Sequence, residues 1–197
     1  MTNYNPLSIQ ITKSWFLKAE SEKDPINKFI CLWASFNCFF SAELFDKTFN
    51  RLRRQYMEFG GDLPNYSPDN VTEHQLLKTF RSTKSYKQIY MDLLSSSNEF
   101  KDDLDSFVVS LKNKEFNNYS GHIVDMRSGK LGANYSARFT DADNFNQFIG
   151  VIYQIRCNLY HGNKNMSYEN DIEIVKNIND SFLHYLYNLY SNEGYLG

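Results

Sequence analysis

Cysteine is scarce in this chain. Cys31, Cys38 and Cys157 are the only three among 197 residues, and an odd count builds no disulfide framework. Cys31 and Cys38 fall on one helical segment, roughly 10 Å apart at helical rise, which is too far for a bridge. No CxxC spacing points to zinc. A basic excess is also missing, since the formal net charge is −2. That excludes a protein that coats nucleic acid through a strongly basic face, while leaving room for one that grips a few phosphates locally. The start, MTNYNPLSIQ, has neither the basic nor the apolar stretch of a signal peptide. The longest charge-free apolar run, Ile30 to Ala42, is too short to span a bilayer. The expectation is a reduced, cytoplasmic protein with no membrane partner. With no internal repeat, low-complexity tract or linker, residues 1–197 read as a single domain.

What the chain has is apolar and aromatic material at helical spacing. Hydrophobic residues make up 42% and aromatic residues 16%, enough for a sizeable core. Most of the aromatics read as core packing, though the same side chains can stack on bases. A first helix is expected over about Leu7–Glu22. Asp24-Pro25 then supplies an N-cap with proline at the first helical position. The second helix carries Phe29, Trp33, Phe36, Phe40 and Leu44 on one stripe, with a continuation through Lys47–Phe59 after a kink, before the breaker Gly60-Gly61-Asp62-Leu63-Pro64. Further helices are expected from Thr72, over Ser85–Leu94 and over Asn98–Leu111. Thr140-Asp141-Ala142-Asp143 has capping-box character and opens a helix bearing Phe145, Phe148, Ile152, Ile155 and Leu159 up to Gly162. A last helix, Tyr168–Ser191, presents Val175, Ile178, Phe182, Leu186 and Leu189 on one face. The fold class is therefore all-α, a bundle of six to seven helices.

One long irregular segment, near 112–139, interrupts this pattern. Ser128-Gly129 could turn a short hairpin there. The segment holds Lys112, Lys114, Arg127, Lys130 and Arg138 against Glu115 and Asp125, with Phe116, Tyr119 and Tyr135 between them. It reads either as a solvated surface loop or as a loop that contacts RNA.

Chemistry concentrates in Ile155-Arg156-Cys157-Asn158-Leu159-Tyr160-His161-Gly162. On the helical wheel Arg156 falls inside the apolar arc. A guanidinium placed there needs an anionic or hydrogen-bonding partner. An internal carboxylate would serve, or a phosphate held in a cleft, for which the rigid fork of arginine is suited. His161 stands at the helix C-terminus before Gly162, where the helix dipole favours imidazolium and a proton can be exchanged near neutral pH. The two residues are about 140° apart on the wheel, so they meet only over the helix end or through a second copy of the helix.

Arg156-Cys157-Asn158-Leu159-Tyr160-His161 resembles the R-x4-6-H signature of HEPN domains. Tyr153-Gln154-Ile155 before it and Gly162-Asn163-Lys164 after it are similar to the usual setting of that motif. The segment Phe29–Asn37 is likewise similar to the aromatic-rich helix of such proteins. The resemblance implies a single HEPN-like helical domain that forms a homodimer and acts as a metal-independent endoribonuclease, with no cofactor. The setting it implies is toxin–antitoxin or antiviral defence, with RNA as substrate and an antitoxin or defence-system protein as partner. In that chemistry the ribose 2′-OH attacks the adjacent phosphorus and leaves a 2′,3′-cyclic phosphate. His161 would be the acid/base residue and Arg156 would stabilise phosphorane charge. Asn158, Tyr160 and Lys164 are candidate substrate contacts. Where the family often has a polar residue directly after the arginine, this chain has Cys157, with Asn158 one later.

Other polar residues have plainer readings. His74, His122 and His184 are expected to be solvated or locally hydrogen-bonded, Asn37 to be a buried hydrogen-bonding residue, and Arg51-Leu52-Arg53-Arg54 a solvated face. Cys157 and His161, four apart, would also permit a cysteine nucleophile. Two alternatives to the nuclease stand beside it. One is a non-catalytic HEPN-like module that binds a nucleotide, RNA or a protein. The other is a helical scaffold in which an internal acid holds Arg156.

Overall fold

The computed structural model describes residues 6–60, 67–112, 123–125, 130–132, 142–160 and 169–196. They form an all-α bundle with seven α-helices among the described residues: α1 (Pro6–Ser21), α2 (Pro25–Glu58), α3 (Glu73–Arg81), α4 (Lys84–Ser96), α5 (Asn98–Lys112), α6 (Phe145–Tyr160) and α7 (Glu169–Asn192). A 3-10 turn, Pro68–Asn70, precedes α3. Two short strands, β1 (Ile123–Asp125) and β2 (Lys130–Gly132), pair antiparallel with Asp125 opposite Lys130. In the chain they lie on either side of Ser128-Gly129, where the sequence suggested a hairpin turn; that dipeptide and most of the 112–139 segment lie outside the described residues.

The spine is α2, which continues through the expected Lys47–Phe59 segment as one helix of 34 residues. Asp24 caps it as anticipated, its carboxylate accepting from the Asn27 N–H at 2.8 Å, and Pro25 occupies the first turn. By length and composition α2 could cross a membrane, but half of its most apolar 18-residue window is buried inside the bundle. Helices α1, α3 and α7 pack around it. All five residues of its predicted stripe are buried, as are Val175, Ile178, Phe182, Leu186 and Leu189 of α7.

Phe36 lies at the centre of the core. Its ring centroid is 4.9 Å from those of Phe40 and Phe80, 5.6 Å from Phe182 and 5.8 Å from Trp33, all near edge-to-face. Polar groups inside the bundle are paired across helices. The Ser35 hydroxyl donates to the Thr12 carbonyl at 2.8 Å and lies 2.9 Å from the Tyr190 hydroxyl, which ties α1, α2 and α7 together. Thr48 donates to Thr79 at 2.8 Å between α2 and α3. Tyr90 of α4 donates to the Ala142 carbonyl at 2.5 Å and fixes the approach to α6.

The start of α6 differs from expectation. Its first helical residue is Phe145, and Asn144 is the cap, its Oδ1 accepting from the Gln147 N–H at 3.1 Å. Asparagine caps as well as threonine and sits nearer the apolar run, so it takes the position. Thr140 and Asp141 lie outside the described residues. Arg53 and Arg54 are exposed, as a solvated face requires, while Arg51 is half-buried and reaches Gln55 at 3.4 Å.

Because Phe36 is fully covered and touches three helices' rings, Phe36→Ala is expected to lower the unfolding free energy by about 3–5 kcal/mol. Denaturant melts followed by circular dichroism check this. A loss under about 1 kcal/mol, the scale of a surface change, would contradict the packing described.

Candidate functional site

Three helices meet around Arg156, each for a local reason. On α6, Ile152 and Ile155 are buried, and Arg156 follows one turn after Ile152 on the same side. On α3, a capping box sets the start: the Thr72 N–H donates to Gln75 Oε1 at 2.8 Å, and the Gln75 N–H donates to Thr72 Oγ1 at 3.4 Å. This places Glu73 in the first turn, three and four residues before the buried Leu76 and Leu77, and so on the inward side. On α2, Trp33 and Asn37 stand one turn apart.

The guanidinium of Arg156 donates from Nη2 to Glu73 Oε2 at 3.0 Å. Asn37 Nδ2 donates to the same carboxylate oxygen at 3.1 Å, and Ser41 Oγ donates to Asn37 Oδ1 at 3.0 Å. A continuous polar chain thus runs from Ser41 through Asn37 and Glu73 to Arg156. Aromatic rings flank the cation: its Cζ is 4.9 Å from the Tyr160 ring and 5.8 Å from the Trp33 ring. The Arg156 and Glu73 side chains keep 22% and 24% of their exposure, so the pair lies at the edge of the core. Among the described residues Nη1 has only a 4.0 Å sulfur contact with Cys157, and Nε is buried without a hydrogen-bond partner.

Beside this cluster, burial and the neighbouring Cys157 push the Tyr153 hydroxyl up to about 12. The contact between the two side chains raises the tyrosine and lowers the cysteine. Burial dominates for Cys157 and leaves its thiol above the ordinary range despite Tyr153 and Arg156. A thiol in that state is a poor nucleophile near neutral pH, which argues against the cysteine-nucleophile alternative.

Of the residues picked out from sequence, the structure brings Arg156 and Tyr160 together. Asn158 lies on α6, but its side chain is outside the described residues, and so are His161 and Lys164. His122 is outside them too; His74 is exposed, with its ring 6.1 Å from that of Tyr153. Sequence reasoning missed Glu73, and it left Asn37 away from the site although it expected the hydrogen bonding that Asn37 makes. Among the described residues no group of three His, Cys, Asp or Glu side chains is placed to hold a metal ion. Compared with family models, with curated proteins and with solved structures, the chain matches none.

Two outcomes follow from this geometry. A double-mutant cycle on Glu73→Gln and Arg156→Gln should return a coupling of roughly 0.5–3 kcal/mol in denaturant melts, between the values of exposed and sealed pairs. A coupling of zero would mean the contact does not hold in solution. Because burial raises the Cys157 thiol, its alkylation by iodoacetamide should be slower than that of a free cysteine at pH 8 and should accelerate only at higher pH; quantitative mass spectrometry of the labelled peptide reads the rate.

Proposed function

We propose that this chain is a metal-independent endoribonuclease of HEPN type, acting as a cytoplasmic homodimer in a toxin–antitoxin or antiviral defence system. The observation that carries this reading is the position of Arg156. It stands on the inward arc of α6 but at the rim of the core, with one edge tethered to Glu73 and Nη1 free of any oxygen acceptor among the described residues. A guanidinium held in this way is already oriented, so it can meet developing phosphorane charge with little reorganisation.

The mechanism takes its second residue from the motif. His161 removes the proton of the ribose 2′-OH as oxygen attacks the adjacent phosphorus. The 5′-oxygen of the next nucleotide leaves and takes a proton, which gives a 2′,3′-cyclic phosphate and a free 5′-hydroxyl. Arg156 balances the added charge on the phosphoryl oxygens. Tyr160, exposed and next to the guanidinium, offers a ring face to a base, while Asn158 and Lys164 are the remaining substrate contacts. In the sequence Arg156 and His161 stand five positions apart, about 140° on a helical wheel, so a second subunit is the simplest way to complete the site.

The Glu73 ion pair favours a second reading, because a carboxylate already satisfies the cation. In that reading the domain is a non-catalytic HEPN-like module that binds a nucleotide, RNA or a protein partner.

Purified protein is expected to cut single-stranded RNA in the presence of EDTA, leaving cyclic-phosphate ends detectable by mass spectrometry. Arg156→Ala and His161→Ala are each expected to reduce cutting by about 100-fold or more while leaving the helical circular dichroism unchanged. Cutting that needs magnesium, or that survives both substitutions, would refute the mechanism. Binding without any product would select the second reading.

A further inference from the structure

A second arginine lies in the seam where Arg156 sits, and its situation is the reverse. Helices α3 and α6 run antiparallel there: Glu73 at the start of α3 meets Arg156 near the end of α6, and Phe80 meets Phe145, with ring centroids 6.0 Å apart. Arg81, in the last turn of α3, sends its side chain across to α6 at Gly150. Its Nη2 lies 3.1 Å from where a Cβ on Gly150 would be, and its Cζ lies 3.8 Å away. Any larger residue at 150 would press on the guanidinium, so this glycine leaves the space that Arg81 occupies.

Arg81 is half-buried, yet it makes no hydrogen bond or ion pair among the described residues, and its Nε is buried without a partner. Where Arg156 has Glu73, Arg81 has no carboxylate partner among the described residues. Desolvation lowers its pKa from the usual arginine value, but arginine stays charged at neutral pH. A charged fork that has lost part of its water and gained no anion is costly. A phosphate, with oxygens spaced for that fork, removes the cost.

We propose that Arg81 is a phosphate-binding residue of the α3–α6 seam, which takes a backbone phosphate of the RNA strand whose scissile phosphate lies at Arg156. The assignment to RNA rests on the ribonuclease reading; the phosphate site itself does not. Gly150 precedes Arg156 by six positions on α6, about 9 Å along the axis and about 120° around it, so an extended strand that crosses α6 obliquely can bring two of its phosphates to the two arginines. Arg81 therefore holds the strand in register, and Arg156 acts on the bond that is cut.

The test uses the full chain labelled with nitrogen-15. The Nε–H resonance of Arg81, assigned by its loss in Arg81→Lys, is followed during titration with inorganic phosphate and, at equal ionic strength, with acetate. It is expected to move with phosphate and not with acetate. In parallel, a single-stranded RNA with 2′-O-methyl riboses, which cannot be cut, is bound across a salt series. Arg81→Gln should weaken binding roughly tenfold, and the slope of log affinity against log salt should become shallower by about 0.7. Gly150→Ala, which keeps the charge but fills its space, should weaken binding in the same direction. A resonance that ignores phosphate, or RNA affinity unchanged in both variants, overturns the proposal. If phosphate moves the resonance but the wild-type chain binds no RNA, the anion site stands and the ribonuclease reading falls. The phosphate titration is made on unsubstituted protein, so it remains decisive if a variant fails to fold.

Discussion

The long aromatic flank of α2 governs the rest of the molecule. Trp33, Phe36, Phe39 and Phe40 are all buried, and rings of that size leave water only when other helices cover them. Helix α7 covers them with Phe182 and Tyr190, and α3 with Phe80. Helix α6 is seated by Phe145 and Phe148 against Tyr90 and Tyr185. Once these contacts are made, α2, α3 and α6 have little freedom to rotate. The inward polar residues among them, Asn37, Glu73 and Arg156, are then brought to one point.

That convergence has an electrostatic cost, which the cluster limits by its placement. At the rim, each charged group keeps part of its hydration, so the pair escapes most of the penalty that a fully sealed pair would carry. Asn37 and Ser41 add donors on the carboxylate side, and Trp33 and Tyr160 add ring faces on the cation side. The same rim position keeps Arg156 within reach of a ligand. A structural strut and the binding group proposed for Arg156 would share this geometry.

Much of this was legible in the sequence, for reasons that are local. Helical periodicity showed the all-α class and placed several elements closely, as with α5, expected over Asn98–Leu111 and found over Asn98–Lys112, whereas α6 begins later than its apparent capping box suggested. The Asp24-Pro25 start was readable because capping is decided by neighbours in the chain. The wheel also showed that Arg156 needs a partner. It could not say which one, because Glu73 is 83 residues away and competes with many other acids. The spacing of Glu73 from Leu76 and Leu77 was the clue that it faces inward. Arg81 left no trace of that kind, since a lysine- and arginine-bearing last turn is the common end of a solvated helix. The misplaced cap of α6 came from Thr140 and Asp143 imitating a capping box one turn too early.

Helix α3 is nine residues long, and a helix of that size has little stability apart from its neighbours. Its first turn is held by Thr72, Gln75 and the Glu73 contact to α6. Fraying of that turn would therefore not be a silent event at a helix end. It would withdraw the counter-ion from Arg156 and open the cation to solvent, so the local unfolding equilibrium of the shortest α-helix among the described residues and the charge balance around Arg156 are one linked quantity.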